Sequence, residues 1–376
     1  MSEPAAAIEL AGTADHPSAR VTLTTALRTG ASHAYLFHGP AGVGKREAAR
    51  AFAAELLAAG SSDPDSVRHR VATGTHPDLT WVSPTGAHVM RTGDVDQPVV
   101  AASTRTPFEA SKRVFVLERV DTMNDEVANR MLKTLEEPPS FVHLVLISDS
   151  LGQVIDTVVS RCQLVRFDPL PAARLAEALQ REGVESARAG PSAALALGNG
   201  ERARLLASDA GGELMADVDR ILEAALRPAG QFEPWRALHE RAVARQGVAE
   251  DEVGEARDER LKTEPKGRER GALEKQFDDA AKRAGRRART EVLDLGLTLA
   301  ALGFRDLICL AEGVPEAALD AQRATRLAGE GAPRDARRLR RAAERCEEVR
   351  MSLQRNVSED LALEALGYRL AQLVGR

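Results

Sequence analysis

Two kinds of hydrophobic pattern divide the chain. Up to about Pro169, short uninterrupted apolar runs alternate with stretches in which apolar residues recur at helical spacing. Tyr35-Leu36-Phe37 is one such run, ended by Gly39-Pro40, and residues 45–59 behind it carry alanine and leucine at helical spacing with no breaker before Gly60. That order predicts strand, glycine loop, helix. Val114-Phe115-Val116-Leu117 and His143-Leu144-Val145-Leu146-Ile147 are near-continuous apolar runs, the pattern of a strand buried on both faces of a parallel sheet. Between them, residues 124–137 bring Val127, Met131, Leu132 and Leu135 to one helical face, with Pro138-Pro139 as the stop. Alternation of this kind predicts a doubly wound α/β domain with a parallel sheet over residues 1–168.

After Phe167-Asp168-Pro169-Leu170-Pro171 the strand signals end. Short alanine-rich helices predict a small helical domain over residues 169–211, and a longer helical domain follows over 212–376. Near the C-terminus Leu361, Leu363, Leu366 and Leu370 are spaced to form one apolar face. A charged stretch at 250–289 interrupts this region and changes sign along its length: residues 250–264 hold seven acids against three bases, and 265–289 nine bases against four acids. A solvated helix pair, or an insertion ordered on contact, accounts for it better than a DNA-binding arm.

Composition narrows the function classes. With 376 residues, 43% of them apolar and 28% charged, the chain has the material for two or three globular domains. The net charge of -5 provides no global positive field for non-specific nucleic-acid binding, and 3% aromatics leave little for a base-stacking platform. Three scattered cysteines, Cys162, Cys309 and Cys346, exclude a disulfide framework and a four-cysteine metal site. No apolar run is long enough to cross a bilayer, and residues 1–10 lack a basic-then-apolar leader profile, so the expected compartment is the cytoplasm.

The first chemical motif is Gly39-Pro40-Ala41-Gly42-Val43-Gly44-Lys45, between a predicted strand and a predicted helix. It reads as a phosphate-binding loop: Gly39, Gly42 and Gly44 let backbone N–H groups converge on phosphate oxygens, the helix N-terminus adds its dipole, and Lys45 reaches the β and γ phosphates. The next position is Arg46, where such loops carry the Ser or Thr that holds Mg²⁺. The second motif is the acidic end of the run Val114 to Leu117, which reads Glu118-Arg119. An acid at the second place would polarise the attacking water, and a guanidinium that stays charged cannot. Glu118 alone can still pair with a metal. Together, Arg46 and Arg119 describe a nucleotide-binding fold without hydrolytic chemistry.

Several blocks of residues also carry a family resemblance. His33-Ala34-Tyr35-Leu36-Phe37 leading into the loop, Gly74-Thr75-His76-Pro77-Asp78, Asn129-Arg130-Met131-Leu132-Lys133-Thr134-Leu135-Glu136-Glu137-Pro138-Pro139, and Ser160-Arg161-Cys162-Gln163 together resemble the delta-prime family of bacterial DNA polymerase III clamp-loader subunits, in the AAA+ class. Asn356-Val357-Ser358-Glu359-Asp360-Leu361-Ala362-Leu363-Glu364 is similar to that family's closing collar segment. The resemblance implies an AAA+ α/β domain, a helical lid and an all-α collar that joins a heteropentameric ring. The implied partners are the motor ATPase subunits and delta, the sliding clamp, and primed DNA through the assembled complex. It also implies a stator that hydrolyses nothing and offers an arginine finger to its neighbour's ATP; Ser160-Arg161-Cys162 matches that motif, which makes Arg161 the candidate finger.

Departures from the family pattern bear on cofactors. Many relatives carry four cysteines ahead of the GTHPD block as a zinc module, and residues 60–74 contain none, so no zinc and no other metal is expected. His69 and His76 read as surface and turn residues. Ser148, after the His143 to Ile147 run, occupies the place of the sensor that reads the γ phosphate, although a strand-end turn uses Ser-Asp equally well. Gly198-Asn199-Gly200-Glu201-Arg202 resembles the region of a second sensor arginine, without a secure register for Arg202. No cofactor is required on this reading, and the loop retains at most weak ATP or ADP binding. The rival readings are a hydrolysing motor subunit of the same loader, against which Arg46 and Arg119 count, and a replication or repair scaffold that uses neither nucleotide nor finger.

Overall fold

The apolar runs become strands of a five-stranded sheet: β1 (Ala34–His38), β2 (Leu79–Val82), β3 (Arg113–Leu117), β4 (Val142–Ser148) and β5 (Gln163–Arg166), in the order β2-β3-β4-β1-β5 with every pairing parallel. The computed structural model describes residues 10–85, 89–227, 233–262, 267–329, 335–353 and 357–375. Residues 1–9 of the segment without a leader profile, residues 263–266 of the charged stretch, and Asn356 of the collar-like segment lie outside the described residues.

Successive strand residues face opposite ways, and the chain covers both faces. Tyr35, Phe37, Val114, Val116, Val145 and Ile147 pack on one face with Leu23 of α1 (Pro17–Thr29) and Phe52 and Leu56 of α2 (Lys45–Ala58). Leu36, Phe115, Leu117, Leu144 and Leu146 pack on the other with Val127, Met131 and Leu135, all from one helix. Helices α3 (Pro64–Ala72) and α4 (Thr92–Val95) precede that helix, α5 (Asp125–Glu136), and α6 (Asp156–Val159) follows it before β5. This is the doubly wound α/β arrangement. Asn124 caps α5 by accepting from the Val127 N–H at 3.0 Å. Leu132 is only partly buried, because the face that turns inward is completed by Ala128 and Thr134. The edge strands β2 and β5 have no clear sequence signature, since edges are covered on fewer sides: β5 exposes three of its four residues.

Because β1 lies between β4 and β5, the loops after β1, β3 and β4 leave the sheet side by side at its carboxyl edge, the place where open α/β sheets bind ligands.

The chain divides into two compact units, one of residues 1–171 with 197–201, the other of 172–196 with 202–376. Among the described residues the second contains only helices: α7 (Ala172–Arg181), α8 (Ser186–Leu195), α9 (Gly200–Ala207, whose first two residues belong to the first unit), α10 (Asp209–Leu226), α11 (Arg236–Lys262), α12 (Arg268–Ala311), α13 (Ala321–Ala328), α14 (Ala336–Leu353) and α15 (Glu359–Val374). Its core gathers Leu222, Leu238, Leu297, Phe304, Leu339 and Leu370. The charged stretch forms the outer part of a helical hairpin in which α11 and α12 run antiparallel, with Arg257 on Asp278 at 2.8 Å, Glu250 against Gly285, and Gln246 on Arg289. On α15 the buried face is Leu363, Leu366, Leu370 and Val374; Leu361 is 66% exposed and does not belong to it. Two residues along a helix is a rotation of roughly 200°, which turns Leu361 away from Leu363. No helix among the described residues is long and apolar enough to cross a membrane.

Candidate functional site

The phosphate loop sits where the sequence places it, between β1 and α2, and its own chain braces it. Gly42 adopts a left-handed φ of 70°, and a Cβ there would lie 1.9 Å from Asn199 Oδ1, so only glycine fits. The Gly200 N–H donates to the Gly42 carbonyl at 2.8 Å, and His16 Nε2 contacts the Val43 carbonyl at 2.7 Å. Lys45 is turned back onto the loop. Its ammonium donates to the carbonyls of Gly39 and Pro40 and lies 2.9 Å from Asp149 Oδ1, with the side chain 4% exposed. An ammonium has three N–H donors, and these contacts engage all three.

The arginine that replaces the magnesium-holding hydroxyl pairs with the retained acid. Arg46, in the first turn of α2, places Nε 2.7 Å from Glu118 Oε1 at the end of β3. Glu118 Oε1 also accepts from Trp81 Nε1 at 2.6 Å, and its Oε2 accepts from Ser83 Oγ at 2.9 Å. This donor set, with a guanidinium beside the acid that would face Mg²⁺ and no hydroxyl after Lys45, is a poor fit to a magnesium ion. Arg119 holds a left-handed φ of 53°, uncommon for a residue with a side chain, and its carbonyl starts a tight turn by accepting from the Thr122 N–H and Oγ.

Ser148 is fully buried, and its Oγ accepts from the Ser150 N–H at 3.1 Å, the hydrogen bond of a strand-end turn. Its neighbour Asp149, the second residue of the Ser148-Asp149 pair at the sensor position, reaches Lys45 instead. Arg202 has Asp294 and Arg350 as its charged neighbours, and burial lowers its pKa.

The GTHPD block is structural. Asp78 is fully buried and accepts from the N–H groups of Phe108, Glu109 and Ala110 at 2.5, 2.9 and 2.9 Å. Burial alone would raise its pKa; the three N–H donors and the neighbouring His76 outweigh it and hold the carboxyl below its ordinary value. His76 is 3% exposed, not a surface residue, and accepts from the Asp78 N–H through Nδ1 at 3.1 Å. His69 is exposed. Among the described residues no group of three or more His, Cys, Asp or Glu is arranged to hold a metal.

Arg161 follows α6 and differs in kind. Its Nε donates to Glu136 Oε1 at 2.9 Å, its Nη2 donates to the same oxygen, and its Nη1 donates to the Thr157 carbonyl at 2.8 Å and to Ser160 Oγ at 3.2 Å. The side chain remains 32% exposed. Cys162 anchors the segment: it packs against the α5 side of the core, and burial pushes its thiol up to about 12, which makes it a packing residue and not a nucleophile. Ser160, Arg161 and Cys162 thus act together, two fixing the third, and Glu136 is the partner that motif reading missed.

Comparison with known proteins finds similarity to DNA polymerase III subunits. The family described as DNA polymerase III, delta subunit, matches residues 16–171. The chain is 32% identical to DNA polymerase III subunit delta' of Bacillus subtilis (strain 168) over 51% of this chain and 59% of that protein. It is 37% identical to DNA polymerase III subunit delta' of Pseudomonas aeruginosa over 41% of this chain and 50% of that protein. A gamma subunit-related protein of DNA polymerase III from Thermotoga maritima superimposes with a TM-score of 0.46 at 14% identity, covering 94% of this chain and 99% of that one. The chain spans about half the length of the curated relatives it matches. Residues 16–171 thus resemble the DNA polymerase III delta subunit family, and the two relatives matched there at over 30% identity are delta' subunits.

Proposed function

We propose that this chain is the delta-prime subunit of a bacterial DNA polymerase III clamp loader, a stator in the cytoplasmic heteropentameric ring that loads the sliding clamp onto primed DNA. Residues 1–168 act as the AAA+ domain, 169–211 as its lid and 212–376 as the collar that binds the motor subunits and delta. The chain hydrolyses no ATP. Its loop requires no cofactor, binds no zinc, and retains only weak affinity for ATP or ADP.

One observation carries this reading: Arg46 pairs with Glu118, so the nucleotide site answers its own charges, while Arg161 is held at the surface by its motif. A guanidinium stays protonated at every relevant pH and donates in a planar fork, which suits it to γ-phosphate oxygens as charge develops on them. Supplied in trans, such an arginine is worth roughly 10³–10⁵ in rate in well-studied GTPases.

Reconstitution with and without this chain tests the role. Clamp loading should require it, and Arg161→Ala should leave ring assembly intact while slowing loading. The isolated chain should show no magnesium-dependent hydrolysis; a rate that Lys45→Ala abolishes would mark it as a motor subunit instead.

A further inference from the structure

Glu136 is the last residue of α5 and Glu137 follows it at the C-cap. A helix C-terminus carries the negative end of the helix dipole, so two consecutive carboxylates there run against local preference. A residue that breaks a local rule has its reason in the tertiary structure or in function. For Glu136 the reason is Arg161, whose Nε and Nη2 both donate to Oε1.

A guanidinium has five N–H donors. Glu136 takes one from Nε and one from Nη2, while the Thr157 carbonyl and Ser160 Oγ take those of Nη1. One Nη2–H is left. Gripping a phosphate through two parallel N–H bonds needs a pair of donors on one edge, and each such edge is already engaged. Arg161 as docked cannot serve as a bidentate finger until Glu136 gives way. The exchange is easy, because both partners are part exposed, Arg161 at 32% and Glu136 at 46%, and because one anion replaces another.

We propose that Glu136 is a positioning residue for Arg161, docking the guanidinium on its own chain and yielding it to a phosphate. Glu136 thereby sets the ATP concentration at which the contact in trans forms. The inference rests on the reading of Arg161 as a finger for a neighbouring subunit.

The test is ATP hydrolysis by the whole reconstituted ring, titrated with ATP in the absence of clamp and DNA, for Glu136→Gln, Glu136→Asp, Arg161→Ala and the Glu136→Gln/Arg161→Ala double variant. Glutamine keeps the size of the side chain and removes its charge. Glu136→Gln should lower the apparent KM for ATP about two- to fivefold, the range expected of an exposed ion pair, and change kcat less. Glu136→Asp, which retains a carboxylate, should lie closer to the unmodified protein. In the Arg161→Ala background the Glu136→Gln effect should vanish, because the two residues act as one unit. An unchanged or raised KM for Glu136→Gln in a ring that Arg161→Ala impairs overturns the inference alone, as does an effect that persists without Arg161. A ring in which Arg161→Ala changes nothing overturns the finger reading, and the inference with it.

Discussion

The two cationic sites of the first unit differ in how far their charges are committed. At the phosphate loop each ion pair has one buried member: Lys45 is 4% exposed against Asp149, and Glu118 5% exposed beside Arg46. At the Ser160-Arg161-Cys162 segment neither member is buried. A buried charge has given up its water and depends on its partner, so separating the pair leaves an uncompensated ion. An exposed pair trades partners at small cost because water screens both states. The same chemistry, cation beside carboxylate, therefore closes one site and leaves the other available.

The contrast is sharpest in its stability consequences. Asp78 is the extreme of the committed kind, fully buried with three backbone N–H donors. Asp78→Ala should destabilise the first unit by about 3 kcal/mol in urea unfolding, since it strands donors that water reaches poorly. Glu118→Gln should cost about 1–2 kcal/mol, because the buried carboxylate loses its charge opposite Arg46, while glutamine keeps one oxygen to accept from Trp81 and turns an NH2 donor toward the Ser83 hydroxyl. Glu136→Gln, the exposed counterpart, should cost less than about 0.5 kcal/mol in the same assay. Equal losses at Glu118 and Glu136 would break the comparison.

A smaller effect follows from acid. Burial lowers the pKa of His76 and of His143 below the ordinary 6.5. Between the folded and unfolded values the unfolded chain binds more protons, so stability is present above about pH 6.5 and declines as pH falls below it. The loss should grow steadily as pH falls from about 7.5 to about 5.5. Thermal unfolding of the whole chain across that range should show the first transition moving to lower temperature; a His143→Gln variant should flatten the slope.

Sequence reading recovered what periodicity controls. β1, β3 and β4 are buried on both faces, so their apolar runs were unmistakable, and the loop glycines announced themselves by composition. The edge strands did not, because Leu79–Val82 and Gln163–Arg166 are covered on fewer sides and mix polar with apolar residues. Leu361 was misassigned to the buried face of α15 because four leucines in a short span suggest one face whether or not their angles agree. The site was half legible. Lys45, Arg46, Glu118 and Arg161 stand at motif positions; of their partners, Trp81 and Ser83 carry no spacing signal, and Asp149 and Glu136 lie in recognisable blocks that do not reveal which cation each will meet. His76 shows the same limit: a histidine in a turn gives no local sign that the chain will bury it beneath Glu109.

ATP hydrolysis by the assembled ring, with clamp and primed DNA present, tests the central claim when Arg161→Ala and Lys45→Ala are measured side by side. If this chain's own site is spent and its arginine acts across an interface, Arg161→Ala removes the share of the adjacent motor site, by at least about tenfold at that site, and Lys45→Ala stays within about twofold of the unmodified ring. A ring silenced by Lys45→Ala and untouched by Arg161→Ala would contradict the account and make this chain a motor.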